Sequence, residues 1–343
     1  RIYITSWDEH LYCLNPDGTQ AWSFNLGDSS GASPAVASDG TVYVGCSDGT
    51  MYAISSDGNE IWSYQKTDPD TQITSTPAIG STHVYYGIRI ILGGGGRTGA
   101  VLAVNRDTGA EYWQFITGTG DSSPAIAADG TIYTGSLFSE VVHAINPDGT
   151  SKWTSEEFES GFHARTNPAI GADGTVYVAA TDRDDEGYLY ALRPNDGAIK
   201  WATTENTLHI VVGGPIVAAD GTIYVGGNSL YAINSANGNI VDQYSGASGN
   251  HYGSPAIADD GTLYITSYDK YLHAVDSSAM LRLWRFNLGS RSWSSPAIGT
   301  DGTVYAGAEN GRLYAVRDEN GGLESKAPWP MFGHDVRHTG VAD

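Results

Sequence analysis

SSPAIAADGTIYTGSLFSEVVHAINPDGTSKW, residues 122–153, contains one whole structural unit. A short apolar run at 123–127 meets a tight Asp129-Gly130 turn, and alternating β-formers follow at 131–136. A third run at 141–146 reaches Pro147-Asp148-Gly149, and a fourth begins at 150–153. Four strands with Asp-Gly between first and second, and again between third and fourth, make an antiparallel meander.

The unit recurs along the whole chain. Its first-strand proline returns at Pro34, Pro77, Pro124, Pro168, Pro215, Pro255 and Pro296, a period of about 44 residues. A second-strand tyrosine occurs eight times, at Tyr3, Tyr43, Tyr85, Tyr133, Tyr177, Tyr224, Tyr264 and Tyr305. The third strand carries a small residue at Cys13, Ala53, Ala103, Ala144, Ala191, Ala232, Ala274 and Ala315. The fourth carries Trp22, Trp62, Trp113, Trp153, Trp201 and Trp284; in the sixth unit Asp242 falls in a stretch without that anchor.

Units therefore run 1–28 (partial), 29–70, 71–120, 121–160, 161–206, 207–250, 251–289 and 290–326, with a tail at 327–343. Small meanders cannot bury both faces alone, and a radial arrangement leaves few exposed edges. The expected fold is all-β, a single eight-bladed β-propeller over 1–343, with a seven-bladed ring as the alternative. The first unit lacks an innermost strand, so the tail is expected to close the ring against blade one, burying Trp329 or Phe332. The chain opens inside a second strand, which suggests an upstream piece.

Composition narrows the function classes. A formal charge of −21 argues against a nucleic-acid partner, since phosphate binding needs a basic surface. No run approaches the apolar length of a membrane-spanning helix. Cys13 and Cys46 form no CxxC, which excludes covalent haem and a cysteine-rich zinc site; buried thiols or a disulfide remain open.

The repeated SSPAI-x-x-DGT-[IV]-Y…LYAIN-x-DG-x-x-x-W, and 290–317 with it, resembles the repeat of the pyrroloquinoline-quinone-like β-propeller family. The tail PWPMFGHDVRHTG (328–340) resembles a segment found beside such repeats in exported bacterial and archaeal proteins. The resemblance implies the fold; the family holds both quinoprotein dehydrogenases and non-catalytic scaffolds. Its dehydrogenases bind pyrroloquinoline quinone (PQQ) with calcium, an adjacent cysteine pair and a catalytic aspartate. No adjacent cysteine pair exists here, and neither the aspartate nor the calcium ligands map onto a motif.

Asp-Gly turns define one regular face, so function is expected on the other, among the second-to-third loops and the crossings between blades. Those loops hold Trp7, Glu9 and His10, the insertion at 88–99 and the acidic stretch at 181–187. Later crossings hold His163, Arg165, His209, His251, Tyr252, Arg291 and Trp293, the candidate ligand-binding set. Aromatic faces beside Arg and His suit a planar anion or a sugar. Asp182, Asp184 and Glu186 echo the start of a calcium loop, although Arg193 stands where its last carboxylate belongs. The glycines at 93–96 lack a following helix and are no phosphate loop; His334 and His338 have metal spacing only in a helix, which the prolines nearby disfavour.

The expectation is thus a non-catalytic scaffold without a required cofactor, extracellular, cell-surface or periplasmic, binding a protein or polysaccharide through its irregular face. The alternative is an enzyme, either a reduced PQQ-dependent oxidoreductase or a polysaccharide-acting protein.

Overall fold

The computed structural model describes the chain apart from residues 67–69, 93–95, 119–121, 137–139, 160, 165, 183–186, 204–207, 209–212, 318–326, 328–329, 336–339 and 341–343. It is an all-β protein, an eight-bladed β-propeller whose eight sheets are antiparallel and follow one another in sequence. The fourth blade, built from the stretch quoted above, comprises Ala125–Ile126, Ile132–Thr134, His143–Ile145 and Ser151–Thr154. The first and last blades show three strands each; residues 318–326, which end the last unit, fall outside the described residues.

The repeat lattice is one row of side chains across each sheet. In blade two Ala35 pairs with Tyr43, Tyr43 with Ala53, and Ala53 with Trp62. The tyrosine-to-small pairing recurs at Tyr3–Cys13, Tyr85–Ala103, Tyr177–Ala191 and Tyr264–Ala274. A small third-strand residue lets the flanking rings meet over it: Tyr43 and Trp62 centroids lie 5.8 Å apart, and Tyr133 and Trp153 5.5 Å.

Four of the tryptophans also reach the next blade. Trp22, Trp62, Trp113 and Trp201 donate Nε1–H to the carbonyls of Ser56, Arg106, Pro147 and Ser235, each at 2.9 Å. The ring then lies on the glycine of that blade's turn. A Cβ on Gly109 would stand 2.6 Å from Trp62, and φ there is +71°. The outer strands also carry exposed apolar residues, for a related reason. Opposite the tryptophan row the fourth strand holds one extra residue, a β-bulge, and in blades two, three, six and seven that residue is Ile61, Tyr112, Val241 or Leu283. Having no cross-strand partner, these four turn outward, each at least half exposed.

Contacts divide the chain into two compact units, Arg1–Trp153 with Arg337–Val341, and Thr154–Val336 with Ala342–Asp343. In the first, an inner girdle links crossings of successive blades: Ser33 N–H donates to the Thr76 hydroxyl (3.2 Å), and Thr76 N–H to the Ser123 hydroxyl (2.9 Å). In the second, Ser254 N–H does the same to Ser295 (2.9 Å). Ser33, Thr76, Ser123, Ser254 and Ser295, each just before a first-strand proline, are therefore structural.

The insertion at 88–99 mostly lengthens a hairpin: His83–Ile91 pairs with Arg97–Asn105, and Thr71–Gln72 adds beside it, residues 93–95 lying outside those described. In the tail, Pro330 accepts from Ile257 N–H (3.1 Å) and Met331 is fully buried among blades seven and eight, within the second unit. Gly340 accepts from Ile126 N–H (2.6 Å), within the first. These bonds go to the first strands of blades seven and four. Of the residues expected to pack on blade one, Trp329 lies outside the described set and Phe332 is half-buried.

Candidate functional site

Blades seven and eight bring together four segments of the irregular face. Tyr252 comes from the crossing into blade seven and Tyr268 from the loop after its second strand, Thr262–Thr266. Arg291 and Trp293 come from the crossing into blade eight, and Glu309 follows that blade's second strand, Thr303–Ala308. Backbone bonds lock loop to crossing: Tyr268 N–H donates to Asn250 O at 3.1 Å, and Glu309 N–H to Arg291 O at 3.0 Å.

The side chains form a packed aromatic knob. Ring centroids are 4.2 Å apart for Tyr252–Tyr268, 4.5 Å for Tyr252–Trp293 and 4.9 Å for Tyr268–Trp293. The Arg291 guanidinium lies 5.1 Å over the Tyr268 ring, and Trp293 Nε1–H donates to Glu309 Oε1 at 2.6 Å. Trp293 is nevertheless 52 % exposed. Desolvation, with the neighbouring Tyr252 and Glu309, pushes the Tyr268 hydroxyl up to about 12, so it remains a donor at any physiological pH.

A buried polar network supports the knob from behind. Asp269, next to Tyr268, binds His273 Nε2 at 3.0 Å, and His273 Nδ1 accepts from the Tyr244 hydroxyl at 2.9 Å. Burial works against the Asp269 carboxylate, but His273 and the amides of Tyr271 and Ser248 hold it below the usual range.

The candidate set is thus partly assembled. Tyr252, Arg291 and Trp293 meet. His251 does not join them: its side chain is fully buried, with Nδ1 3.2 Å from Thr266 O, because successive residues of the extended crossing point to opposite sides. His163 is half-buried and its backbone bridges Thr181 through two 3.0 Å bonds. Arg165 and His209 lie outside the described residues. So do Asp184 and Glu186 of the calcium candidate, whose Asp182 is half-buried. Among the described residues no three His, Cys, Asp or Glu side chains converge as a metal set. Cys13 and Cys46 are buried free thiols. Sequence reasoning passed over Tyr268 and Glu309, which sit in short loops of ordinary composition; the signal available was that each such loop abuts a crossing already singled out.

A second feature lies on blade one. Trp7 tips the loop between Ile2–Thr5 and His10–Leu14 and is 85 % exposed. The loop under it is fixed: Tyr12 donates to Asp8 Oδ2 at 2.7 Å, Leu26 N–H to Glu9 O at 2.7 Å, and Glu9 takes φ +71°.

Among known proteins, the profile of the family described as outer membrane protein assembly factor BamB matches residues 1–114 and 97–324. No curated protein matches the chain in sequence. Of solved structures, BamB from Moraxella catarrhalis superposes with a TM-score of 0.71 at 16 % identity, covering 92 % of this chain and 91 % of that one. A europium-containing methanol dehydrogenase gives 0.69 at 15 %, covering 99 % and 85 %. Quinohemoprotein alcohol dehydrogenase from Comamonas testosteroni gives 0.65 at 14 %, covering 88 % and 68 %. At these identities the structural likeness speaks for the fold.

Proposed function

This chain belongs to the family described as outer membrane protein assembly factor BamB, and from that premise we propose that it is a non-catalytic, exported scaffold that docks a protein partner through its irregular loop face. The observation that carries the reading is Trp7, a large apolar side chain held out into solvent by a loop whose backbone and carboxylate bonds are already made. Exposed apolar surface on a rigid element favours binding, because little side-chain or loop entropy remains to be lost, and tryptophan is enriched among residues that dominate protein interfaces. Cys13 and Cys46 also stand in different blades, so the adjacent cysteine pair of the quinoproteins has no counterpart. The compartment that fits is the periplasm, the outer membrane or the cell surface. Among the described residues no helix is long and apolar enough to cross a membrane.

The test compares affinity capture from the producing cell by the parent chain and by Trp7→Ala, with Leu281→Ala, exposed on an outer strand, as control. One dominant partner, retained by the control and reduced about tenfold or more by Trp7→Ala, is expected. Equal recovery by all three chains rejects the docking loop. A bound-quinone absorption spectrum on adding PQQ and calcium, with dye-coupled oxidation of an alcohol, rejects the non-catalytic reading in favour of an oxidoreductase.

A further inference from the structure

We propose that Tyr252, Tyr268, Arg291, Trp293 and Glu309 form a site for a uronic-acid residue of an acidic polysaccharide, a binding site additional to the protein-docking loop. Four features of the knob lead there. First, the three rings lie 4.2–4.9 Å apart, in contact with one another, so no group fits between them. An enclosed cage for a quaternary ammonium is thereby excluded, and a ligand must lie on the outer surface. Second, that surface offers one fixed aromatic plane: the half-exposed indole of Trp293 is held by two tyrosine rings and by its bond to Glu309. A saturated ring stacks its C–H face on such a plane without ordering it further.

Third, Arg291 is exposed, and among the described residues its guanidinium makes no ion pair. The guanidinium lies 5.1 Å over the Tyr268 ring, and its fork of N–H groups suits a bidentate acceptor. In a chain with 39 acidic and 18 basic residues, an arginine left without a carboxylate is the natural seat for an incoming one. Fourth, Glu309 binds the indole N–H of Trp293. Its Oε1 is taken by Trp293, and Oε2 remains an acceptor on an exposed side chain.

The combination of one cation, one anion and an aromatic plane selects among anionic ligands. A uronate supplies a carboxylate for Arg291, hydroxyls that donate to Glu309, and a C–H face for Trp293. An acidic peptide or a planar polycarboxylate satisfies Arg291 but brings no hydroxyl donor to Glu309, and a run of carboxylates meets its charge.

The experiment titrates the full chain with tetra- to hexameric oligogalacturonates and oligoguluronates, their methyl esters, neutral oligosaccharides of equal length, and an oligoglutamate peptide. The expected result is saturable binding of an acidic oligosaccharide that weakens with salt. It falls about tenfold or more on methyl esterification, and likewise in Arg291→Gln and in Trp293→Ala, whose thermal unfolding matches the parent. No saturation below about 10 mM overturns the proposal, as does equal binding of esterified or neutral sugars. Arg291-dependent binding of the peptide at equal or higher affinity also overturns it, assigning the knob to a protein instead. The Trp7 experiment is unaffected by any of these outcomes.

Discussion

The imidazole of His251 is fully buried, donates from Nδ1 to the Thr266 carbonyl, and presents Nε2 to no partner among the described residues. Groups facing it are His273, perpendicular at 6.2 Å between centroids, and, beyond that ring, Asp269 and Tyr244. Burial, the largest cause, holds His251 down at about 4, partly offset by the Thr266 carbonyl and Asp269. A histidine depressed in the folded state stabilises the fold fully above its unfolded value of 6.5. That contribution shrinks as pH falls from there to about 4, by at most about 3 kcal/mol. Urea unfolding should therefore show stability declining between these limits, with a shallower decline in His251→Gln. Superimposable pH profiles would dismiss the role of His251. A second, lower acid limb belongs to the Asp-Gly turns. Asp17, Asp39, Asp148 and Asp301 are held below the usual carboxylate range by hydrogen bonds from the threonine two residues on. Stability from these depressed carboxylates is complete above 3.8, their ordinary value, and is lost as pH falls through the folded values.

Blade six is the element that departs from the repeat. Where the fourth strands of blades one, two, three, five and seven place tryptophan opposite the small residue, Ala232 pairs with Asp242. The receiving position on blade seven, four residues before Trp284, is not glycine but Met280, in a left-handed conformation at φ +48° and almost fully buried. Its side chain packs with Tyr224, Leu230 and Tyr244 of blade six. Methionine therefore fills from one blade the space that tryptophan fills from the other, and two departures from the repeat explain each other. The missing anchor by itself predicts a poorly packed outer strand; the compensation lies about 40 residues away in sequence. Met280→Gly should cost about 2 kcal/mol or more, cavity formation outweighing the relief at positive φ. Asp242→Trp alone should also destabilise, by collision with Met280. The double variant should be more stable than the sum of the two predicts, by roughly 1 kcal/mol or more in denaturant unfolding. Simple additivity would show that the two positions do not share the space.

At the scale of the whole molecule, the tail acts on the inner edges of blades. Two-residue first strands leave backbone donors along an edge, and Pro330 and Gly340 accept from Ile257 and Ile126 there. Met331 adds a fully buried side chain against Ala256, Tyr264 and Val304. Removing 327–343 should lower stability by about 2–5 kcal/mol, from the lost burial and the unpaired amides. Hydrogen exchange in the truncated chain should quicken at Ile126 and Ile257 before it does at Trp22 or Trp62. An unchanged melting curve would show that the tail is dispensable.

The number of blades, the order of strands and the row that ties each blade together can all be read from the chain alone. Those features recur at a fixed period, and each local choice (Asp-Gly turn, β-forming run, tryptophan) favours the same hairpin without help from distant residues. The crossings that carry Tyr252, Arg291 and Trp293 stand out in the same way, by their composition. Folding in three dimensions was needed to turn His251 inward, to bring Tyr268 and Glu309 into the knob, and to set Met280 in place of a tryptophan. Those facts depend on which side chains meet across neighbouring blades. Such contacts are set by packing between residues far apart in the chain, where no period or turn signal operates.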